Sequence, residues 1–437
     1  MTKNKGKSKT KEKLALRKII KQFRTRTKVV ISIWTIFNLI FFVFYTFGAS
    51  APITKSLVIF VIWELVIWVY YIHKYHYKKI HKSGDWVNAI LFAIIAATVI
   101  RTFFIEAYKI PTSSMEKSLR VGDFLFVSKI NYGARLPITP ISVPFVHQNL
   151  FGVKAYSEAL KMPYFRTKGL QKIKRRDIVV FNWPAEPDGR PADKKMNYIK
   201  RCVAIPGDTI SIQDGYVHID GNMEDFPQDG QFEYRVYTKG KSLNPKKLFK
   251  LDVTDFNRGA GMSDLHLSQA SKENVEKSFN PDSVLRKTYP IGTTDSYLFP
   301  TDTAVMGKWN RDYMEAIYVP EKGESIAINK NNYPIYEKII KEYEGNQNAY
   351  LSNNRLVIDG EPTEKYTFKM NYYFMMGDNR HNSLDSRFWG FVPEDHIVGK
   401  PLFIWFSLKY ETYNGNYNPP KNQLRGIRFN RIFKRVK

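Results

Sequence analysis

The chain has 437 residues, 43% hydrophobic and 15% aromatic, with 67 Lys and Arg against 41 Asp and Glu, a formal charge of +26. This composition excludes a disordered chain and leaves room for two or three folded units. A single cysteine excludes an intramolecular disulfide and any cysteine-based zinc cluster. The charge points to nucleic acid or an anionic membrane as partner.

The distribution of charge decides between them. Up to residue 105 the only acids are Glu12, Glu64 and Asp85, while a run of Lys and Arg fills residues 1–28. Strongly apolar sequence follows this basic arm. Residues 29–47 carry no charge, and their length approaches the ~20 residues needed to cross a hydrocarbon core of about 30 Å. Residues 56–72 are shorter and contain Glu64, read as a protonated or helix-paired carboxyl. Residues 86–104 hold Arg101 close enough to their end to snorkel to the interface. The first connection contains only Lys55, whereas the second contains Lys74, Lys78, Lys79 and Lys82. By the positive-inside rule the arm and the second connection are cytoplasmic. A three-span membrane anchor over residues 29–105 therefore delivers the remainder to the outer side, and no nucleic-acid partner is expected. A cleaved leader is a poorer reading of residues 29–47, because no small-residue cleavage site follows closely.

Past residue 105 the pattern changes to short alternating runs punctuated by Gly, Pro, Asn and Asp. Residues 124–130, 177–181, 198–205 and 209–212 fit strands, and Asp214-Gly215 has the composition of a hairpin turn. Residues 336–344 are the best helix candidate. Residues 205–221 have an echo in 319–329 and 355–362, from either a duplicated unit or ordinary hairpin chemistry. Residues 223–316 show no legible chemistry. The expected fold is thus a mostly β catalytic region following a helical anchor.

Three segments hold candidate chemistry. Residues 110–129 begin with Pro111 and a Thr-Ser-Ser run, a loop start that puts hydroxyls just outside the third span. A serine nucleophile needs a base, and His147, His218, His266, His381 and His396 all lie in this region without a G-x-S-x-G elbow. Lysine is the other option. Lys200 lies amid Tyr198, Ile199, Cys202, Val203 and Ala204, where it either snorkels from an edge or faces a pocket. Residues 377–387 pack two Asp, two Asn, two Ser and two Arg between apolar flanks, as in a tightly hydrogen-bonded loop. Cys202 reads as a buried neighbour.

Together, IPTSSMEKSLRVGDFLFVSK (110–129), RRDIVVFNWP (175–184), YIKRCVAIPGD (198–208), MGDNRHNSLDSRFWGFVP (376–393) and GIRFNRI (426–432) occur in the order of a known family. The chain resembles the bacterial type I signal peptidases, membrane-bound Ser/Lys endopeptidases of peptidase family S26. The resemblance implies a signal-peptidase-like β fold, with Ser114 as nucleophile and Lys200 as general base. It also implies that Thr112 and the Ser114 N–H form the oxyanion hole, that Ser383 orients the lysine, and that Asp385 and Arg387 support the site. No metal or other cofactor is implied. The implied partners are preprotein signal peptides with small residues before the cut, the lipid bilayer and the secretion machinery. The implied setting is the bacterial cytoplasmic membrane, with the catalytic region outside. Residues 106–208 and 371–437 then form the catalytic domain and residues 209–370 an inserted β-rich cap. Two departures stand out. Ser113 occupies a common glycine position, where a positive φ would be a problem, and Met115-Glu116-Lys117 replaces Met-x-Pro. The alternative is a catalytically silent relative that binds export substrates.

Overall fold

The computed structural model describes residues 84–295, 298–300, 309–410 and 424–436. The basic arm and the apolar stretches 29–47 and 56–72 lie outside these residues. The chain divides into two units, Met1–Ala93 and Ile94–Lys437. The third apolar stretch corresponds to helix α1 (Gly84–Phe103), which exposes Ile90, Phe92 and Ile100. Among the described residues, no helix is long and apolar enough to cross a membrane.

The eight-stranded main sheet is assembled from distant parts of the chain. Its strands are β1 (Ile105–Lys109), β2 (Asp123–Ser128), β3 (Ile178–Asn182), β4 (Asn197–Ala204), β5 (Tyr372–Met376), β6 (Val392–Pro393), β7 (Ile397–Tyr410) and β8 (Leu424–Ile427). The order is β1-β2-β7-β3-β4-β5-β6, with β8 paired to β7, and every pairing is antiparallel. Alternation sets the faces. Leu125 and Val127 of β2 enter a core with Ile110, Met115, Leu119 and Val180, while Phe124 and Phe126 pack with Trp405. β3 is buried throughout, as expected for a strand covered on both sides. Ile178 and Val180 join that core, whereas Val179 and Phe181 join a second one with Tyr132, Cys202, Met375 and Trp389. Fully burying each such aliphatic side chain is worth about 1.5–3 kcal/mol.

The segment between β4 and β5 is more ordered than its sequence suggests. Strands Thr209–Gln213 and Tyr216–Ile219 form the expected hairpin, with Asp214 and Gly215 at φ 51° and 76°, the signs required by a type I′ turn. The polar stretch 223–316, whose sequence shows no legible chemistry, is folded. Phe232–Tyr237, Phe256–Arg258, Met262–Leu267 and Ser283–Arg286 form a four-stranded sheet with its own core of Val236, Leu248, Val253, Leu265 and Val275. Helix Gln269–Phe279 was also missed, although Ser268 caps it by accepting from the Ser271 N–H. The helix expected at 336–344 begins earlier, as Tyr333–Lys338, and continues as a wide turn, Ile339–Tyr343. In the internal echo, both Ile-Asp-Gly strands lead into positive-φ turns at Asp220-Gly221 and Asp359-Gly360. Their partners differ, since Thr209–Gln213 pairs within its hairpin and Ser325–Ile326 pairs with Tyr366–Thr367.

Candidate active site

Ser114 lies in the loop that joins β1 to β2. The Ile110 N–H donates to Asp123 O at 2.8 Å and the Gly122 N–H to Ile110 O at 2.9 Å, which closes the base of the loop. Ser113 and Ser114 are buried and Thr112 is exposed. Ser113 does not take a positive φ, so serine at this position carries no left-handed strain.

Lys200 comes from the middle of β4, on the far side of the sheet order, and is only 3% exposed. Its Nζ donates to Ser114 Oγ at 2.7 Å and to Ile199 O at 3.1 Å. The pocket option for this lysine is therefore the one adopted. Burial pushes the ammonium down to about 8, against the attraction of Asp385 and Asp378 and with a smaller push from Arg387. About a tenth of such a lysine is neutral at pH 7 and half at pH 8.

The Gly377–Arg387 loop packs against the other side of Ser114. Gly377 has no room for a side chain, because a Cβ there would stand 2.6 Å from Ser114 O and 2.2 Å from Ser383 Oγ. Asp385 receives Nε and Nη2 of Arg387, both at 2.8 Å, and the Gly377 N–H at 3.1 Å. Burial raises the Asp385 pKa, but Arg387 more than offsets it and holds the carboxyl low. Asp378 binds Nε and Nη2 of Arg201 at 2.8 and 2.6 Å, which ties this loop to the residue after Lys200. Ser383 is buried; its Oγ makes no bond to Lys200 and instead faces the Asp385 carboxyl, which it helps hold low. Thus Ser114 and Lys200 are in contact, Asp385 and Arg387 pair beside them, and Thr112 and Ser383 stand near without bonding to them.

The other candidates lie elsewhere. The His381 Nδ1 accepts from the Glu233 N–H at 3.1 Å, and its Nε2 lies 2.9 Å from Asp312 Oδ1. With one nitrogen accepting and the other donating, the ring is neutral and fully engaged. His147, His266 and His396 bond to Lys195 O, Asn379 and Asp395 respectively. Cys202 is fully buried, its thiol pushed well up by burial.

Sequence reading missed a set of residues that surrounds the nucleophile loop from the inserted sheet. Asp252 pairs with Lys117 at 2.7 Å and Arg120 at 2.5 Å, and Asp255 accepts from Asn379 at 3.0 Å and Asn382 at 2.6 Å. Nothing in the composition of 223–316 distinguishes these aspartates from solvated ones. A cavity of about 230 Å³ adjoins β1 and β4, lined by Glu106, Tyr108, Lys129, Asn182 and Asn197 among others.

The family model for signal peptidase, peptidase S26, matches residues 83–278 and 318–406. Signal peptidase I of Buchnera aphidicola subsp. Acyrthosiphon pisum is 31% identical over 368 residues, covering 82% of this chain and 86% of that protein. Signal peptidase I of Helicobacter pylori strain J99 is 27% identical over 366 residues, covering 81% and 91%. The Pseudomonas aeruginosa signal peptidase I is 25% identical over 330 residues, covering 73% and 69%. With this match across most of the chain, added to a buried serine in contact with a buried lysine, the chain belongs to the S26 family of signal peptidases.

Proposed function

We propose that this protein is a serine endopeptidase that removes signal peptides from exported preproteins, with Ser114 as nucleophile and Lys200 as general base. The observation that carries the assignment of residues is the 2.7 Å contact between Lys200 Nζ and Ser114 Oγ inside a buried pocket. Neutral Lys200 takes the Ser114 proton as Oγ attacks the scissile carbonyl carbon. The oxyanion is held by the Ser114 N–H together with the Thr112 hydroxyl, which stands two residues ahead on the exposed side of the loop. One such donor is worth about 2.7–4 kcal/mol in the transition state. The C–N bond then breaks, the Lys200 ammonium protonates the departing amine, and the mature protein leaves. Water next attacks the ester, giving its proton to Lys200, and the signal peptide departs as a carboxylate while Ser114 regains its proton. Asp385 and Arg387 hold the loop that carries Ser383, whose hydroxyl orients Lys200.

Sheet topology supports an extended substrate. β1 is an edge strand, and the first half of β4 pairs only with β3, because β5 pairs with residues 201–204. A peptide laid between these edges gains backbone hydrogen bonds by strand addition. Small residues at the first and third positions before the cut follow from the family resemblance.

The basic arm 1–28 and the apolar stretches 29–47, 56–72 and 86–104 support a multi-pass anchor in the bacterial cytoplasmic membrane. Residues 106–208 and 371–437 then form the outer catalytic domain and residues 209–370 an insertion. Exposed Ile141, Val143, Phe145, Leu150 and Phe151 support contact with the lipid surface, close to where the secretion machinery delivers preproteins. The test is cleavage of a preprotein with an Ala-x-Ala site by the detergent-purified protein. Wild type cuts after that site, and folded Ser114→Ala and Lys200→Ala variants do not. An inert wild type would overturn the reading.

A further inference from the structure

Two residues past Met115, Lys117 adopts a left-handed backbone at φ 74° with its side chain buried. A non-glycine residue in that region needs outside support, and a buried ammonium needs a partner. Both are supplied by one residue of the insertion, in the turn before strand Phe256–Arg258: the Asp252 backbone O accepts from Lys117 Nζ, and its Oδ2 lies 2.7 Å from Lys117 Nζ and 2.5 Å from Arg120 Nη2. Two residues on, Thr254 Oγ1 donates to the buried Glu116 Oε1 at 3.1 Å. The next residue, Asp255, is 4% exposed and gathers two side-chain amides. Each amide uses one N–H for Asp255 and the other for Ser113. Asn379 Nδ2 reaches Asp255 Oδ2 at 3.0 Å and Ser113 O at 3.3 Å, and Asn382 Nδ2 reaches Asp255 Oδ2 at 2.6 Å and Ser113 Oγ at 2.9 Å. His266 Nδ1 lies 2.8 Å from Asn379 Oδ1, which fixes the orientation of that amide. The Asn379 N–H also donates to Ser114 O at 3.0 Å. The segment is itself held firmly, with Val253 fully buried in the insertion's core and Asp255 O accepting the His266 N–H at 3.0 Å.

We propose that the inserted segment Asp252–Asp255 is a positioning element of the catalytic centre, which sets the backbone on either side of Ser114 so that its Oγ meets Lys200. This rests on reading Ser114 as the nucleophile. None of these contacts uses Ser114 Oγ or its N–H, so the segment grips the loop and leaves the reacting atoms open. The insertion thereby acquires a part in turnover, through residues that touch neither substrate nor reacting atoms.

The test is steady-state cleavage of an Ala-x-Ala preprotein by the full chain in detergent, using Asp252→Ala, Asp255→Ala, Asp255→Asn and, as a control on the same insertion, Glu273→Gln. A misplacement of the order of 1 Å costs about 100-fold, so kcat in the two alanine variants is expected to fall about 10- to 100-fold. KM should stay within about threefold and the pH midpoint of the rate should not move, because Lys200 keeps its surroundings. Asp255→Asn keeps one acceptor oxygen and recovers part of the loss, and Glu273→Gln behaves as wild type. If Asp255→Ala does not fold, Asp255→Asn and Asp252→Ala carry the test alone. Unchanged kcat in the folded variants overturns the proposal. So does a KM rise alone, which would make the segment a substrate contact, or a loss no larger than the unfolded fraction. Ser114→Ala run alongside separates the two readings. Residual full activity there overturns the choice of nucleophile, whatever the aspartate variants do.

Discussion

Arg201 and Asp378 join β4 to the Gly377–Arg387 loop through two hydrogen bonds of 2.8 and 2.6 Å, immediately beside the Lys200 that contacts Ser114. Asp378 is fully buried and also accepts Ser118 Oγ at 2.5 Å, so one carboxylate links the lysine strand, the nucleophile loop and the polar loop. Removing one partner strands a buried charge. Asp378→Ala should lower stability by about 3–5 kcal/mol, read from denaturant unfolding. An effect below about 1 kcal/mol would show the pair to be dispensable.

The Lys200 ammonium, pushed down to about 8 by burial, sets a pH profile. The neutral form is the base, so kcat/KM should rise with pH, reach half its maximum near pH 8, and level off above pH 9. An unperturbed lysine, near 10.4, would leave the rate still rising at pH 10. Stability follows the same group. The unfolded lysine binds its proton more tightly than the folded one, so unfolding free energy should increase with pH between about 8 and 10.4 from this residue.

Gly377→Ala tests the close packing against Ser114. The added methyl meets Ser383 Oγ, a movable atom, and Ser114 O, which is backbone. Overpacking of this kind costs about 1–3 kcal/mol. Activity should fall more than tenfold, and adding Ser383→Ala should not restore it, because the backbone contact remains. Rescue by the double variant would locate the strain at Ser383 alone.

His381→Gln separates a structural histidine from a base. Its ring is engaged by the Glu233 N–H and Asp312 Oδ1. Stability should drop by about 1–3 kcal/mol while the pH midpoint of catalysis stays in place. A loss of the pH 8 limb in this variant would reassign the base.

Phe151 is 97% exposed at the tip of a short hairpin whose Leu150 and Val153 are also exposed. Phe151→Asp should leave cleavage of a short soluble peptide unchanged and slow processing of a preprotein in phospholipid vesicles. Equal rates in both assays would remove this loop from the membrane surface.

Much of the main sheet was legible because its strands alternate or run apolar for five to eight residues, as β2, β3 and β4 do. Ser114 and Lys200 are 86 positions apart, and no local pattern links them; the resemblance singled them out, and the fold of β4 against the β1–β2 loop brings them together. Asp252 and Asp255 were not legible because a carboxylate bound to distant cations, as Asp252 is, or to asparagine amides, as Asp255 is, looks in sequence like one bound to water. Helix Gln269–Phe279 was passed over because it buries only Ser271 and Val275, too narrow an apolar stripe for its period to stand out.

The sole thiol of the chain has a consequence for how the protein can be handled. Cys202 is sealed between strands with its Sγ–H directed at Ala204 O at 3.3 Å, and burial keeps it from ionising. Oxidants and alkylating reagents act on thiolates at the surface. The thiol is therefore expected to resist oxidation and mixed-disulfide formation while the chain stays folded, and no reductant should be needed to keep the protein homogeneous. A single cysteine introduced on its surface would be the one position to take a label, with the native residue left in place.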